Sequence, residues 1–254
     1  MITIQGSFAG MNTVRNLSLI QRSLTKTMQK LSSGERINTA ADGPAELVIS
    51  EQMRAQIGSL TEQIKGLEAH LNRNAATDAA LGELTDVVRE MRQIVQTASD
   101  EATNTPETGK ILQQQMTETV AAFNRQRAET GYGNQKLLDG SDGAVVAVPQ
   151  MPDLDVSTPD QAREALSEVD RVLRSVSDLR LDVGAKTKNE YESTMRSLEV
   201  ASQNLTAAES TIRDTDYASE QASYLRSIVQ LNVGMAAQAQ GQLTSDTVFK
   251  LLHA

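Results

Sequence analysis

Apolar residues recur along most of this chain at intervals of three and four, the spacing of a helix that buries one narrow seam. Val14, Leu17, Leu24, Met28 and Leu31 share one face, with Gln21 breaking the rhythm. Ile57, Leu60, Ile64, Leu67 and Leu71 take it up again. Between the two runs lie Ser32, Ser33, Gly34, Arg36, Ile37 and Asn38, then Asp42-Gly43-Pro44. Gly34 suits a helix end, and Asp-Gly-Pro suits the start of the next helix. The pattern predicts a joint between two rods.

The first helix is expected over roughly Met11 to Ser33, with Met1 to Gly10 fraying in the monomer. The second starts near Asp42 to Ala45 and runs to about Glu101, a length of about 85 Å at the α-helical rise. Its stripe passes through Asn74 and Asp78 to Leu81, then slips by three to Leu84 before Val88, Met91, Val95 and Ala98. Such a slip marks local overwinding, and the polar seam positions make this stretch the weakest of the rod. Thr105-Pro106-Glu107 starts a third helix carrying Ile111, Leu112, Met116, Val120 and Phe123. Gly131 to Gly140 reads as a turn leading to a short extended piece, and Ala144 to Val148 as β-prone with prolines after it. A small hairpin or loop is expected at 139–158. Thr158-Pro159-Asp160-Gln161 is a capping box. Ala162, Leu166, Val169, Leu173, Val176, Arg180 and Val183 come next, and the stripe returns as Tyr191, Thr194, Leu198, Ala201, Leu205, Ala208 and Ile212. A second joint, Arg213 to Tyr217, precedes Ala218, Ala222, Leu225, Val229, Asn232, Ala236, Ala239 and Leu243. The predicted fold is mainly α: long antiparallel rods in a coiled-coil bundle, with a short hairpin or loop near the middle. The domain division expected is 1–42 plus 215–254 as a terminal coiled-coil unit, and 43–214 as a helical rod unit.

Composition narrows the chemistry. Aromatics make up 3% of the 254 residues and Trp is absent, so short aliphatic knobs must fill the seams. The net charge of −9, without a long basic run, argues against a nucleic-acid partner. No apolar run approaches the roughly 20 residues that span a bilayer, and Met1 to Asn16 lacks the order of a Sec-type signal peptide. Cysteine is absent, which removes disulfides and thiolate chemistry. His70 and His253 are the only histidines, and no His-Glu-x-x-His or phosphate loop is present. No catalytic, metal or cofactor site is legible, and His70 reads as a solvated flank of the Leu67–Leu71 stripe.

The wording of the first joint, Leu31-Ser32-Ser33-Gly34-Glu35-Arg36-Ile37-Asn38 with Ala41-Asp42, resembles the N-terminal signature of the bacterial flagellins. The usual continuation Asp-Asp-x-Ala-Gly-Leu reads here Asp42-Gly43-Pro44-Ala45-Glu46-Leu47. Tyr132-Gly133-Asn134 with Leu137-Leu138 is similar to the Phe-Asn-Gly-x-x-Leu-Leu that closes the N-terminal half. Leu181 to Ala185, Asn204 to Ala208, Ile212 to Ala218 and the terminal Val248-Phe249-Lys250-Leu251-Leu252 resemble the C-terminal half.

The resemblance implies an exported, non-enzymatic subunit of the extracellular flagellar filament, polymerising through its terminal rods and lacking the outer domains of long flagellins. Candidate assembly residues are Val14, Leu17, Leu24, Met28, Leu31, Leu225, Val229, Ala236, Leu243 and Leu251. It also implies a cytoplasmic export chaperone on the C-terminal rod, the type III export apparatus, and cap and junction proteins as partners. Arg89, Met91, Arg92 and Ile94 fall where some flagellins meet the animal Toll-like flagellin receptor. An exported chain threaded through a channel also gives a reason for the missing cysteine. A hook–filament junction protein and a cytoplasmic coiled-coil adaptor are the alternatives. The Val-Phe-x-Leu-Leu ending favours flagellin over the first, and ordered terminal helices in a soluble monomer would mark the second.

Overall fold

The computed structural model describes the backbone of residues 2–102 and 104–252 and the side chains of 10–102 and 104–240. Among these residues six α-helices occur in order: α1 (Ile2–Ser33), α2 (Pro44–Ser99), α3 (Pro106–Glu129), α4 (Pro159–Lys186), α5 (Glu192–Arg213) and α6 (Tyr217–Leu252). A π-helical turn, Thr187–Tyr191, joins α4 to α5, and two short antiparallel strands, β1 (Gly131–Tyr132) and β2 (Gln135–Lys136), come after α3. The fold is mainly α, as the seam pattern predicts. Helix α1 starts at Ile2, well before Met11. By packing, the chain divides into two compact units, Met1–Ser59 with Ser202–Ala254, and Leu60–Ala201.

The core lies in the second unit. Leu81, Leu84, Val88, Met91, Val95 and Ala98 of α2 are buried against Leu112, Met116, Val120 and Phe123 of α3 and Val169, Val172, Val176 and Val183 of α4. Leu81 and Leu84 are both buried, so the three-residue slip is real, whereas Ile111 points to solvent. Thr105 caps α3, its hydroxyl accepting from the Thr108 N–H, and the Thr158 hydroxyl caps α4 by accepting from the Gln161 N–H. Both prolines then sit where a missing N–H costs nothing.

The strands fall at 131–136, around Gly133 at φ 62°, and not in the β-prone run from Ala144. Among the described residues that run lies beside Leu137 and Leu138 without forming a strand. The N–H groups of Val145 and Val146 donate to Leu137 O (3.1 and 3.2 Å), that of Val148 to Leu138 O (2.9 Å), and a single bridge joins Asp139 and Ala147. The run leads into an extended strap whose Val148, Met151, Leu154 and Val156 close the core beside Leu137 and Leu138. Side-chain amides of α3 replace the missing ladder. Gln113 donates to Leu154 O (3.0 Å) and accepts from Val156 N–H (2.6 Å). Asn124 donates to Met151 O (2.9 Å) and accepts from its N–H (3.0 Å).

Towards the N-terminus of α2 the seam turns polar. Asn74 is buried and donates to the Thr187 hydroxyl (3.1 Å), Arg180 reaches Asp78 (3.0 Å), and the exposed His70 ring stacks on Tyr191 with centroids 5.5 Å apart. The half-buried face of α5 includes Met195, while Thr194 is exposed. The seam therefore runs one residue away from the Thr194 reading, and the π-turn before it absorbs the difference.

Candidate assembly site: the joint and the terminal helix pair

The joint predicted at Ser32–Asn38 meets the second joint, Arg213–Tyr217, within the first unit. Gly34 takes φ 74°, the left-handed conformation that ends α1, and its N–H donates to Lys30 O (2.8 Å). The chain then runs antiparallel to its C-terminal counterpart. Arg36 N–H donates to Arg213 O (2.6 Å) and Thr215 N–H to Gly34 O (2.9 Å), a bridge centred on Glu35 and Asp214.

Each joint also satisfies the helix that ends in the other. The Arg36 guanidinium donates twice to Ile212 O, at 2.6 and 3.2 Å, placing a cation at the negative end of α5. The Tyr217 hydroxyl donates to Leu31 O at the end of α1. Asp216 caps α6, its carboxylate accepting from the N–H groups of Ala218 (3.0 Å) and Ser219 (3.2 Å). Asn38 donates to the Ser33 hydroxyl (2.8 Å), which also accepts from Glu35 N–H, and Ile37 is buried. Ser32 is exposed.

An ion network surrounds this bridge. Arg213, with a side chain only 11% exposed, contacts Glu51 (2.6 Å) and Glu35 (3.1 Å). Arg54 contacts Glu209 (2.8 Å) and Glu35 (2.9 Å). Burial alone would raise the Glu35 pKa, but hydrogen bonds from Arg54 and Arg213 outweigh it and hold the carboxyl below its ordinary 4.5. Asp42 is held far below the usual carboxylate range, first by Lys26 (2.7 Å) and then by the Thr39 hydroxyl (2.9 Å). Arg54, Glu51 and Glu209 carry no heptad signal, and sequence reading missed them.

The terminal helices α1 and α6 pack on each other, but not on the face expected of α6. On α1 the seam uses Leu17, Leu24 and Leu31 together with Ile20 and the buried Thr27. Val14 and Met28 lie on an exposed flank. On α6 the residues turned inward are Tyr224, Ser227, Leu231, Gly234 and Gln238, spaced 3-4-3-4. A Cβ on Gly234 would stand 2.7 Å from Leu17 Cδ2, so the glycine permits the close approach of the two helices. Leu225 (55% exposed), Val229 (60% exposed) and Ala236 face away, with Val233 and Met235 exposed beside them. The side chains of Leu243 and Leu251 lie outside the described residues.

The candidate receptor patch is not one surface. Met91 is fully buried and Ile94 packs partly against the core, because both lie on the α2 seam. Arg89 is exposed and paired with Asp86 (2.8 Å), and Arg92 is paired with Asp170 (2.9 Å). Among the described residues no cluster of His, Asp and Glu could hold a metal, and no helix is long and apolar enough to cross a membrane.

Residues 4–142 match the bacterial flagellin N-terminal helical region, and residues 166–252 match the bacterial flagellin C-terminal helical region. A flagellin of Halalkalibacterium halodurans is 31% identical, covering 98% of this chain and 99% of its own. A flagellin of Bacillus subtilis is 28% identical, and the flagellar filament 33 kDa core protein of Treponema phagedenis 27%, each with the same coverage. Among solved structures, a Bacillus cereus flagellin aligns over 57% of this chain and 94% of its own, with a TM-score of 0.48 and 14% identity. The terminal helices, the two paired joints and both halves of the family pattern occur here in one chain, which belongs to the bacterial flagellins.

Proposed function

We propose that this chain is an exported structural subunit of the extracellular flagellar filament, serves motility, and polymerises through its terminal helix pair. The observation that carries this reading is the second apolar face of α6. Leu225, Val229 and Val233 recur every four residues on one side of the helix and stay exposed while α1 covers another side. A pair of helices with one narrow seam offsets little of the entropy of ordering it. A neighbouring copy laid on the free face adds the missing burial, so folding and association reinforce each other. The joint, bridged on both strands and capped reciprocally, holds α1 and α6 in register for that contact. On this reading residues 1–42 and 215–254 make the coiled-coil contacts between copies, and 43–214 is the helical rod unit.

The same free face of α6 suits an export chaperone that keeps the subunit unassembled before it reaches the type III export apparatus. Cap and junction proteins take the place of a neighbouring copy at the filament ends. For a Toll-like flagellin receptor, the patch reduces to Arg89 and Arg92 on the solvent side of α2.

Electron microscopy of the purified chain before and after seeding with filament fragments tests the reading, alongside a version lacking residues 1–40 and 215–254. Uniform tubes from the full chain and none from the shortened one are expected. A full chain that stays a helical monomer under every seeding condition overturns the filament reading and favours a coiled-coil adaptor.

A further inference from the structure

The face that α4, the π-turn and α5 turn inward reads Arg180, Val183, Thr187, Tyr191, Met195 and Leu198, a spacing of 3-4-4-4-3. A regular seam alternates three and four, so one residue more than the pattern needs is stored between Thr187 and Tyr191. A π-turn holds one such residue without rotating the helix beyond it. The stored residue lies opposite the polar stretch of α2, where the packing is carried by the Asn74–Thr187 bond, the Asp78–Arg180 pair and the His70–Tyr191 stack.

Arg73 stands at the centre of this stretch without a carboxylate partner among the described residues. Its Nη1 donates to Gln135 Oε1 (3.2 Å), its Nη2 lies 3.3 Å from His70 Nδ1, and its buried Nε has no partner. Glu190, beside Tyr191 in the π-turn, is exposed and has no ion pair among the described residues.

We propose that Thr187–Leu198 is a one-residue register switch in the second unit. In the register seen here, Tyr191 stacks on His70 and Met195 lies on the seam. If the stored residue passes two turns towards the C-terminus, Glu190 and Thr194 take those two positions, and Leu198 and everything after it stay in place. The inward spacing becomes Thr187, Glu190, Thr194 and Leu198, with the wide turn now between Thr194 and Leu198. Glu190 then brings its carboxylate against His70 and the guanidinium of Arg73. Burial of Tyr191 and Met195 favours the first register, and the charge on Arg73 favours the second. The exchange alters the surface of the second unit over three turns without moving the ends of its helices.

Fluorine NMR of the full chain labelled with fluorotyrosine tests this, the Tyr191 signal being identified by its loss in Tyr191→Phe. Two Tyr191 signals are expected, or one averaged signal if exchange is fast. Deletion of Asn189 removes the stored residue and should leave the stacked signal alone. Glu190→Gln and, separately, Arg73→Gln should lower the second population about two- to fivefold, the factor set by an ion pair of this exposure. In fast exchange the averaged signal should move towards that of the deletion variant. A Tyr191 signal that responds to neither charge substitution overturns the switch, whether or not the deletion variant folds.

Discussion

Val229 separates folding of the terminal helices from their association. Its side chain is 60% exposed on α6, away from the residues that meet α1. Fully burying a valine is worth about 1.5–3 kcal/mol, so covering the exposed part against a neighbouring copy contributes roughly 1–2 kcal/mol. Val229→Ser forfeits that burial in the filament while changing little in the isolated chain, where an exposed substitution moves stability by no more than about 0.5 kcal/mol. Each 1.4 kcal/mol is tenfold in an equilibrium constant, so the critical concentration for seeded growth should rise roughly 5- to 30-fold. Sedimentation of filaments across a series of subunit concentrations measures it, and circular dichroism of the unassembled chain supplies the control. Leu17→Ser, on the seam beside Gly234, should instead lower the helicity of the monomer itself. An unchanged critical concentration for Val229→Ser would show that this face of α6 is not where copies meet. A large loss of monomer helicity in that variant would also refute the assignment, by placing Val229 within the chain's own packing.

Arg213→Met leaves Glu35 and Glu51 with Arg54 as their remaining cation and should destabilise the first unit by about 1–3 kcal/mol, reduced from a fully buried pair by the exposure of the carboxylates. Urea denaturation followed by circular dichroism reads this loss. Glu35 has a folded-state pKa below its ordinary 4.5, so its contribution is fully present above that value and is lost as pH falls through the lower folded-state value. Hydrogen exchange at the amides of Arg36 and Thr215 should therefore accelerate on acidification below about pH 4.5 beyond what intrinsic exchange chemistry gives, and a Glu35→Gln chain should lack the added step. Gly109→Ala should destabilise the second unit by roughly 1–3 kcal/mol despite alanine's better helix propensity. The added Cβ would stand 2.6 Å from Ser157 O and 2.8 Å from Asn104 Oδ1, and the first of these is backbone. A thermal melt at or above that of the unaltered chain would contradict it.

Legibility in the sequence depended on whether a residue's partner was local. Gly34, Thr105-Pro106 and Thr158-Pro159 announced helix ends because a cap is satisfied within a few residues of itself. The slip between Leu81 and Leu84 was visible because both residues are apolar and both are buried. The ion network of Arg54, Glu51, Glu209 and Arg213 was not, since its members meet across more than 150 positions and charged residues on a helix face ordinarily mean solvent. The stored residue at Thr187–Tyr191 was hidden by a polar Thr187 and by Thr194 standing beside Met195, which let a regular spacing be drawn through the wrong neighbour.

The reading of α6 failed for a reason that bears on assembly. Leu225 and Val229 keep helical spacing, and so do Tyr224, Ile228 and Leu231 one position away. A period shows that a face is apolar but not which partner covers it. Two apolar faces on one helix exceed what a single antiparallel partner can bury, as the exposure of Leu225, Val229 and Val233 beside a packed α1 makes plain. A surface helix of a self-contained domain has one apolar stripe and one polar face. On the assembly proposed above, the second stripe of α6 is where another chain docks, and the ambiguity that misplaced the seam is the same property that would let the subunit polymerise.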